Sequence, residues 1–106
     1  LRLERRSEAR STILDAINHG HPDPVLHNAL GELYFYDHMH EESKHHFRTA
    51  GELGLAPAYN NLGVVHFQLH EFDLARAAFE ACLANDPEHP GARNNLEKVL
   101  RHIHIN

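Results

Sequence analysis

The sequence predicts an all-α fold, a solenoid of about five helices built from antiparallel helical hairpins, and three observations lead there. Between Ala56 and Pro90, two apolar-periodic runs flank a short polar turn at Leu69-His70-Glu71. Tyr59, Leu62, Gly63 and His66 fall on one helical face in the first run, as Phe72, Ala75, Phe79 and Cys82 do in the second. Small residues on those faces (Gly63, Ala75, Cys82) let two antiparallel helices approach closely. The pattern also recurs in register. Leu30-Gly31-x2-Tyr34 stands 32 residues before Leu62-Gly63-x2-His66, and Ser43-x3-Phe47-x2-Ala50 repeats the second run. Ala9-x3-Ile13-x2-Ala16 lies 34 residues before Ser43, and Ala92-Arg93-Asn94-Asn95-Leu96 echoes Ala58-Tyr59-Asn60-Asn61-Leu62 34 residues later.

Residues 2–19 read as one helix, with Ala9, Ile13 and Ala16 on its buried stripe and Gly20 placed to end it in the left-handed region. In the connector His21-Pro22-Asp23-Pro24, Asp23 is an N-cap and Pro24 suits a first helical turn. The next helix runs to about Asp37 and carries Tyr34, Phe35 and Tyr36; His38-Met39-His40 is its turn. A partner helix covers about 41–53, with Gly54 as its stop. Pro57 opens a helix ending near Leu69, followed by one over about 72–85 that Asp86-Pro87 terminates, because proline cannot continue a helix. The last helix, from Pro90 to about 102–103, spaces Leu96, Val99, Leu100 and Ile103 for burial.

Tyr59-x2-Leu62-Gly63-x2-His66, then Ala75-x3-Phe79, then Pro87 resembles a tetratricopeptide (TPR) repeat, whose period is about 34 residues. His66 departs from the tyrosine that the family uses at its place. The resemblance implies a right-handed superhelical array spanning the chain as one domain, residues 1–106: half a repeat at 2–19, repeats at 24–54 and 56–87, and a capping helix at 90–103. Glu97 occupies the glycine slot of the last helix, where a charge is tolerated only if no further helix presses on it. The first helix matches the second half of a repeat whose first half is missing. Short arrays are marginal because each unit buries its face only against neighbours, so a longer parent protein, self-association or both are expected.

At 106 residues, with 24% charged and 42% hydrophobic residues and a formal net charge of -5, an ordinary soluble protein is expected. No apolar run approaches the roughly 20 residues that span a bilayer. The lone Cys82 excludes an intramolecular disulfide framework and leaves the compartment open, the cytoplasm being favoured slightly. Acids dominate the middle of the chain, with bases at the two ends, which argues against the basic stripe of a nucleic-acid surface.

In TPR domains the first helices of successive repeats line a concave groove that holds a peptide or a partner's helix. The matching positions are Asn28, Glu32, Phe35 and Tyr36 in the first repeat. In the second they are Asn60, Asn61, Val64, Phe67 and Gln68, and in the last helix Asn94, Asn95, Lys98 and Arg101. Asparagine amides carry both donors and acceptors and so suit a peptide backbone; the aromatics would make apolar pockets, and Lys98 and Arg101 would meet an acid. The family's clamp for a terminal carboxylate uses Lys and Asn where this chain has Asn28 and Glu32, and Glu32 would repel a carboxylate. The expected role is a non-catalytic interaction module for a protein or peptide, with self-assembly through the incomplete N-terminal repeat as the alternative.

Twelve histidines are the compositional oddity. His66 and His70 have a metal-binding spacing on one helix face, but one falls on the seam and the other at a turn, so a histidine-edge metal domain is a distant alternative and no cofactor or metal is expected. Protonating all twelve would carry the formal charge from -5 to about +7, making interactions pH-dependent between about 5 and 7. Cys82 takes a place where the family puts alanine, which reads as a buried filler rather than a nucleophile. No phosphate-cradling loop or nucleophile elbow is present, and no enzyme activity is expected.

Overall fold

The computed structural model describes residues 3–20 and 22–105, and among them six helices and no strand. They are α1 (Leu3–His19), α2 (Pro24–Tyr36), α3 (His40–Glu52), α4 (Ala56–Gln68), α5 (Phe72–Asn85) and α6 (Pro90–Ile105). Arg2 and the connector residue His21 lie outside the described residues. α2 pairs with α3 and α4 with α5, and each hairpin stacks on the next through α3 against α4 and α5 against α6. The array measures 44 × 26 × 18 Å, with a radius of gyration of 14.2 Å. A compact chain of this length would have about 13 Å. The excess is that of an open stack rather than a closed bundle.

Local chemistry sets the boundaries. Asp23 is extended, and its side chain accepts from the Val25 N–H at 2.8 Å with Pro24 in the first turn, as the sequence predicts. His38 and His70, the residues that reverse the chain within the two hairpins, both take left-handed backbone angles (φ 59° and 61°). Gly54 stops α3 at φ 106°. Gly20 does not share this conformation: among the glycines only Gly54 has positive φ. At the start of α6 a role not foreseen falls to His89, whose Nδ1 accepts from the Ala92 N–H at 3.0 Å.

The core runs along the seams between helices. Leu30, Phe47, Ala50, Ala58, Val65, Ala75, Phe79, Cys82 and Val99 are essentially excluded from water. The small residues of the repeat allow this. A Cβ on Gly31 would meet the Phe47 ring at 2.6 Å, and one on Gly51 would meet the Tyr59 ring at 2.7 Å. The first closes a hairpin and the second closes the junction between hairpins. Ser43, where the next repeat has Ala75, is also buried and donates its hydroxyl to the Gly31 carbonyl at 2.9 Å, so its polar atom is satisfied.

α1 is held differently. None of its residues is fully buried, and the expected stripe is corrected in one place: Ala9 and Ile13 are half-buried but Ala16 is exposed. No described helix covers Ala16. The anchor is instead Asp37 at the end of α2, which accepts from Arg6 at 2.6 Å and also from Arg10. Arg10 lies over the Tyr34 ring, 5.2 Å from its centroid. The outward face of α1 is polar, with Ser7, Glu8, Ser11, Thr12 and Asp15 exposed.

Candidate functional site

Helices α2, α4 and α6 present their inner faces to one side, and two small clefts open there. The first lies between α2 and α4 and is lined by Glu32, Phe35, Tyr36, Asn61 and Val64, with Phe47 of α3 at its floor. The second lies between α4 and α6 and is lined by Val64, Phe67, Gln68, Asn95 and Lys98, with Phe79 of α5 at its floor. The clefts are copies one repeat apart: Phe79 repeats Phe47, Asn95 repeats Asn61, and Val64 is the wall between them. The floor rings lie where they do because Gly31 and Gly63 leave room for them.

Their volumes, about 170 and 270 Å³, are decisive for what could enter. A cavity of about 150 Å³ takes one benzene, whereas pockets for drug-sized ligands and cofactors run from about 300 to 1,000 Å³. Each cleft therefore suits a single side chain.

The asparagines form a regular bridge between the helices. Asn61 donates its side-chain amide to the Asn28 carbonyl oxygen at 3.0 Å, and one repeat later Asn95 donates to Asn60 at 3.0 Å. Asn28 in turn donates to Glu32 at 3.3 Å. Sequence reasoning assigned these amides to a ligand and missed that they first bond one another. An amide has two N–H donors and two acceptor lone pairs, so Asn61 and Asn95 each keep a carbonyl oxygen and one N–H for another partner.

The remaining candidate positions divide. Asn60 points toward α6, close to Gly91. Asn94 is exposed. Arg101 lies apart from both clefts, on a stripe of α6 with Glu97, Leu100 and His104 that no described helix covers. Lys98, in the second cleft, is exposed and has no ion-pair partner among the described residues.

His66, His27 and His46 are occupied structurally. Nδ1 of His66 bonds Oε1 of Glu71 at 2.8 Å, and Lys44 of α3 reaches both Glu71 and Glu41. The His66 hydrogen bond, with help from Lys44, holds the Glu71 carboxyl below its ordinary range. His27 and His46 face each other across the first hairpin, Nδ1 to Nδ1 at 3.1 Å, with rings stacked. Burial and the neighbouring His45 and His27 push His46 down to about 4, and burial and His45 lower His27 as well. The expected swing to about +7 is therefore corrected downward: His46 stays neutral through the whole window from pH 7 to 5. Burial pushes the Cys82 thiol up, away from the thiolate that nucleophilic chemistry needs. Among the described residues no three His, Cys, Asp or Glu side chains converge as a metal site would, and no helix is long and apolar enough to cross a membrane.

The family model for the tetratricopeptide repeat matches residues 56–89, the segment whose glycine–phenylalanine seam is described above. The chain carries a tetratricopeptide repeat and has the TPR fold. Among solved structures it is similar to the first TPR domain of Spaghetti (RPAP3) bound to the HSP90 peptide SRMEEVD, at 22% identity and TM-score 0.83 over 94% of this chain and 81% of that one. It is similar to the Sgt2 TPR domain from Aspergillus fumigatus, at 18% identity and TM-score 0.84 over 95% of this chain and 70% of that one. It is also similar to the second TPR domain of human RPAP3 in complex with the HSP70 peptide SGPTIEEVD, at 19% identity and TM-score 0.80 over 91% and 82%. A comparison with curated protein sequences found no match. At these identities the likeness concerns the fold.

Proposed function

We propose that this TPR chain, read as a single array, is a non-catalytic interaction module that binds a peptide segment of a partner protein along the inner face of α2, α4 and α6. The observation that carries the reading is the pair of side-chain-sized clefts, identical in plan and aligned on Val64, each rimmed by an asparagine with hydrogen-bonding capacity left over. Apolar pockets for side chains with amides for the main chain are what recognition of an extended peptide requires. Two of the similar TPR structures hold short peptides, which supports this use of the fold. Self-stacking through α1 draws less support, because its outward face is polar.

Selection from a displayed peptide library against the purified chain tests the proposal. Bound sequences are expected to lose at least tenfold in affinity when Val64→Arg puts a charged side chain on the wall that both clefts share, with the circular dichroism spectrum unchanged. Selected peptides that bind the variant equally well would place the site elsewhere and refute the reading.

A further inference from the structure

The two clefts and the charges beside them also constrain what kind of peptide fits, provided the groove reading above holds. The clefts lie between successive first helices, which stand close enough for asparagine side chains to bond across them at 3.0 Å, so the clefts repeat at about the 8–10 Å of neighbouring helices. In a β-strand, side chains on one face repeat every two residues, about 6.7 Å, and then at about 13 Å, and neither matches. A polyproline-II segment has three residues per turn and rises about 3.1 Å per residue, so side chains three apart share a face at about 9 Å. Its backbone makes no internal hydrogen bonds and leaves N–H and C=O groups for the amides of Asn61 and Asn95.

Charge supplies the second constraint. The first cleft is rimmed by the exposed carboxylate of Glu32, whose described bond is to an uncharged amide, and the second by the exposed ammonium of Lys98. The groove therefore has an acidic end at α2 and a basic end at α6. We infer that it takes a polyproline-II-like segment with two apolar side chains three residues apart, flanked by a cationic residue at the α2 end and an acidic residue at the α6 end. This differs from a site for an all-acidic tail, because Glu32 disfavours an acid at one of the two ends. Both charges are solvated, so their contribution is to selectivity more than to total affinity.

The test uses three fluorescein-labelled peptides with leucines three apart in a proline-rich background. Their flanks are arginine with glutamate, glutamate with glutamate, and arginine with arginine. The mixed-flank peptide is expected to bind roughly tenfold tighter than either uniform one by fluorescence anisotropy at low salt. Glu32→Lys should shift the preference to the doubly acidic peptide, and Lys98→Glu to the doubly basic one. A mixed-flank peptide with leucines two apart should bind more weakly. Equal binding of all three flank patterns, a preference of the unaltered protein for the doubly acidic peptide, or no binding by any of them overturns the inference. If binding is equal but abolished by Val64→Arg, this inference falls and the groove reading stands; if it survives Val64→Arg, the groove reading falls as well.

Discussion

The Cβ that Gly63 lacks would come 2.6 Å from Cδ1 of Phe79, so α4 can lie against α5 only because that position has no side chain. The same contact fixes Phe79 as the floor of the second cleft, which links the seam of the hairpin to the groove. Overpacking a filled seam costs about 1–3 kcal/mol, while alanine in place of glycine gains about 1 kcal/mol of helix propensity. Gly63→Ala should therefore destabilise by up to about 2 kcal/mol, read as a lower urea midpoint with unchanged slope. An unchanged or raised midpoint would show that the seam has slack.

The burial of His46, beside His45 and His27, predicts a pH dependence that the histidine count alone does not. His46 is neutral when folded down to about pH 4, whereas the unfolded side chain takes a proton near 6.5. The unfolded state thus binds more protons between those values, and stability is present above pH 6.5 and lost as pH falls toward 4. Discounted for its partial exposure, the loss between pH 7 and 5 is about 1 kcal/mol, or several degrees in Tm. His46→Phe should flatten this slope; a slope unaltered in the variant would assign it to other groups.

With no fully buried residue, the first helix is the most detachable one, and the ion pairs at Asp37 anchor it. Burial alone would raise the Asp37 carboxyl, but hydrogen bonds from Arg6 and Arg10 outweigh it and hold the group below its ordinary range. Asp37→Asn should lower amide-exchange protection in α1 roughly tenfold while leaving α4 and α5 unchanged. Uniform loss of protection along the chain would instead mean that α1 unfolds with the whole array.

Cys82 offers a probe of that array. Its thiol is fully buried and its ionisation suppressed, so labelling by a thiol reagent at pH 8 should proceed only through unfolding. The rate should be on the order of a thousandfold below that in denaturant. Native labelling within tenfold of the denatured rate would contradict the packing of the α4–α5 seam.

Much of this arrangement is legible in the sequence because the repeat fixes periodicity and small-residue placement together. Spacing places Gly63, Ala75 and Cys82 on seams, and the chemistry of Asp23 and Gly54 makes them a cap and a stop. Relations between helices were less legible. The contact of Gly51 with Tyr59, the pairing of Asn61 with Asn28 and the facing of His27 with His46 join residues whose registers only tertiary packing sets. The repeat aligns Ala16 with the buried Ala50, but a matching pattern buries a residue only where a neighbouring helix covers it. Arg101 likewise shares a helix with Lys98 without facing the same cleft.

Backbone amide chemical shifts, followed while a library-selected peptide is titrated into the ¹⁵N-labelled chain, test the central claim most directly. The account predicts that perturbations concentrate on the inner faces of α2, α4 and α6, around Asn61, Val64 and Asn95. Perturbations confined to the outward surfaces of α1, α3 or α5 would contradict it.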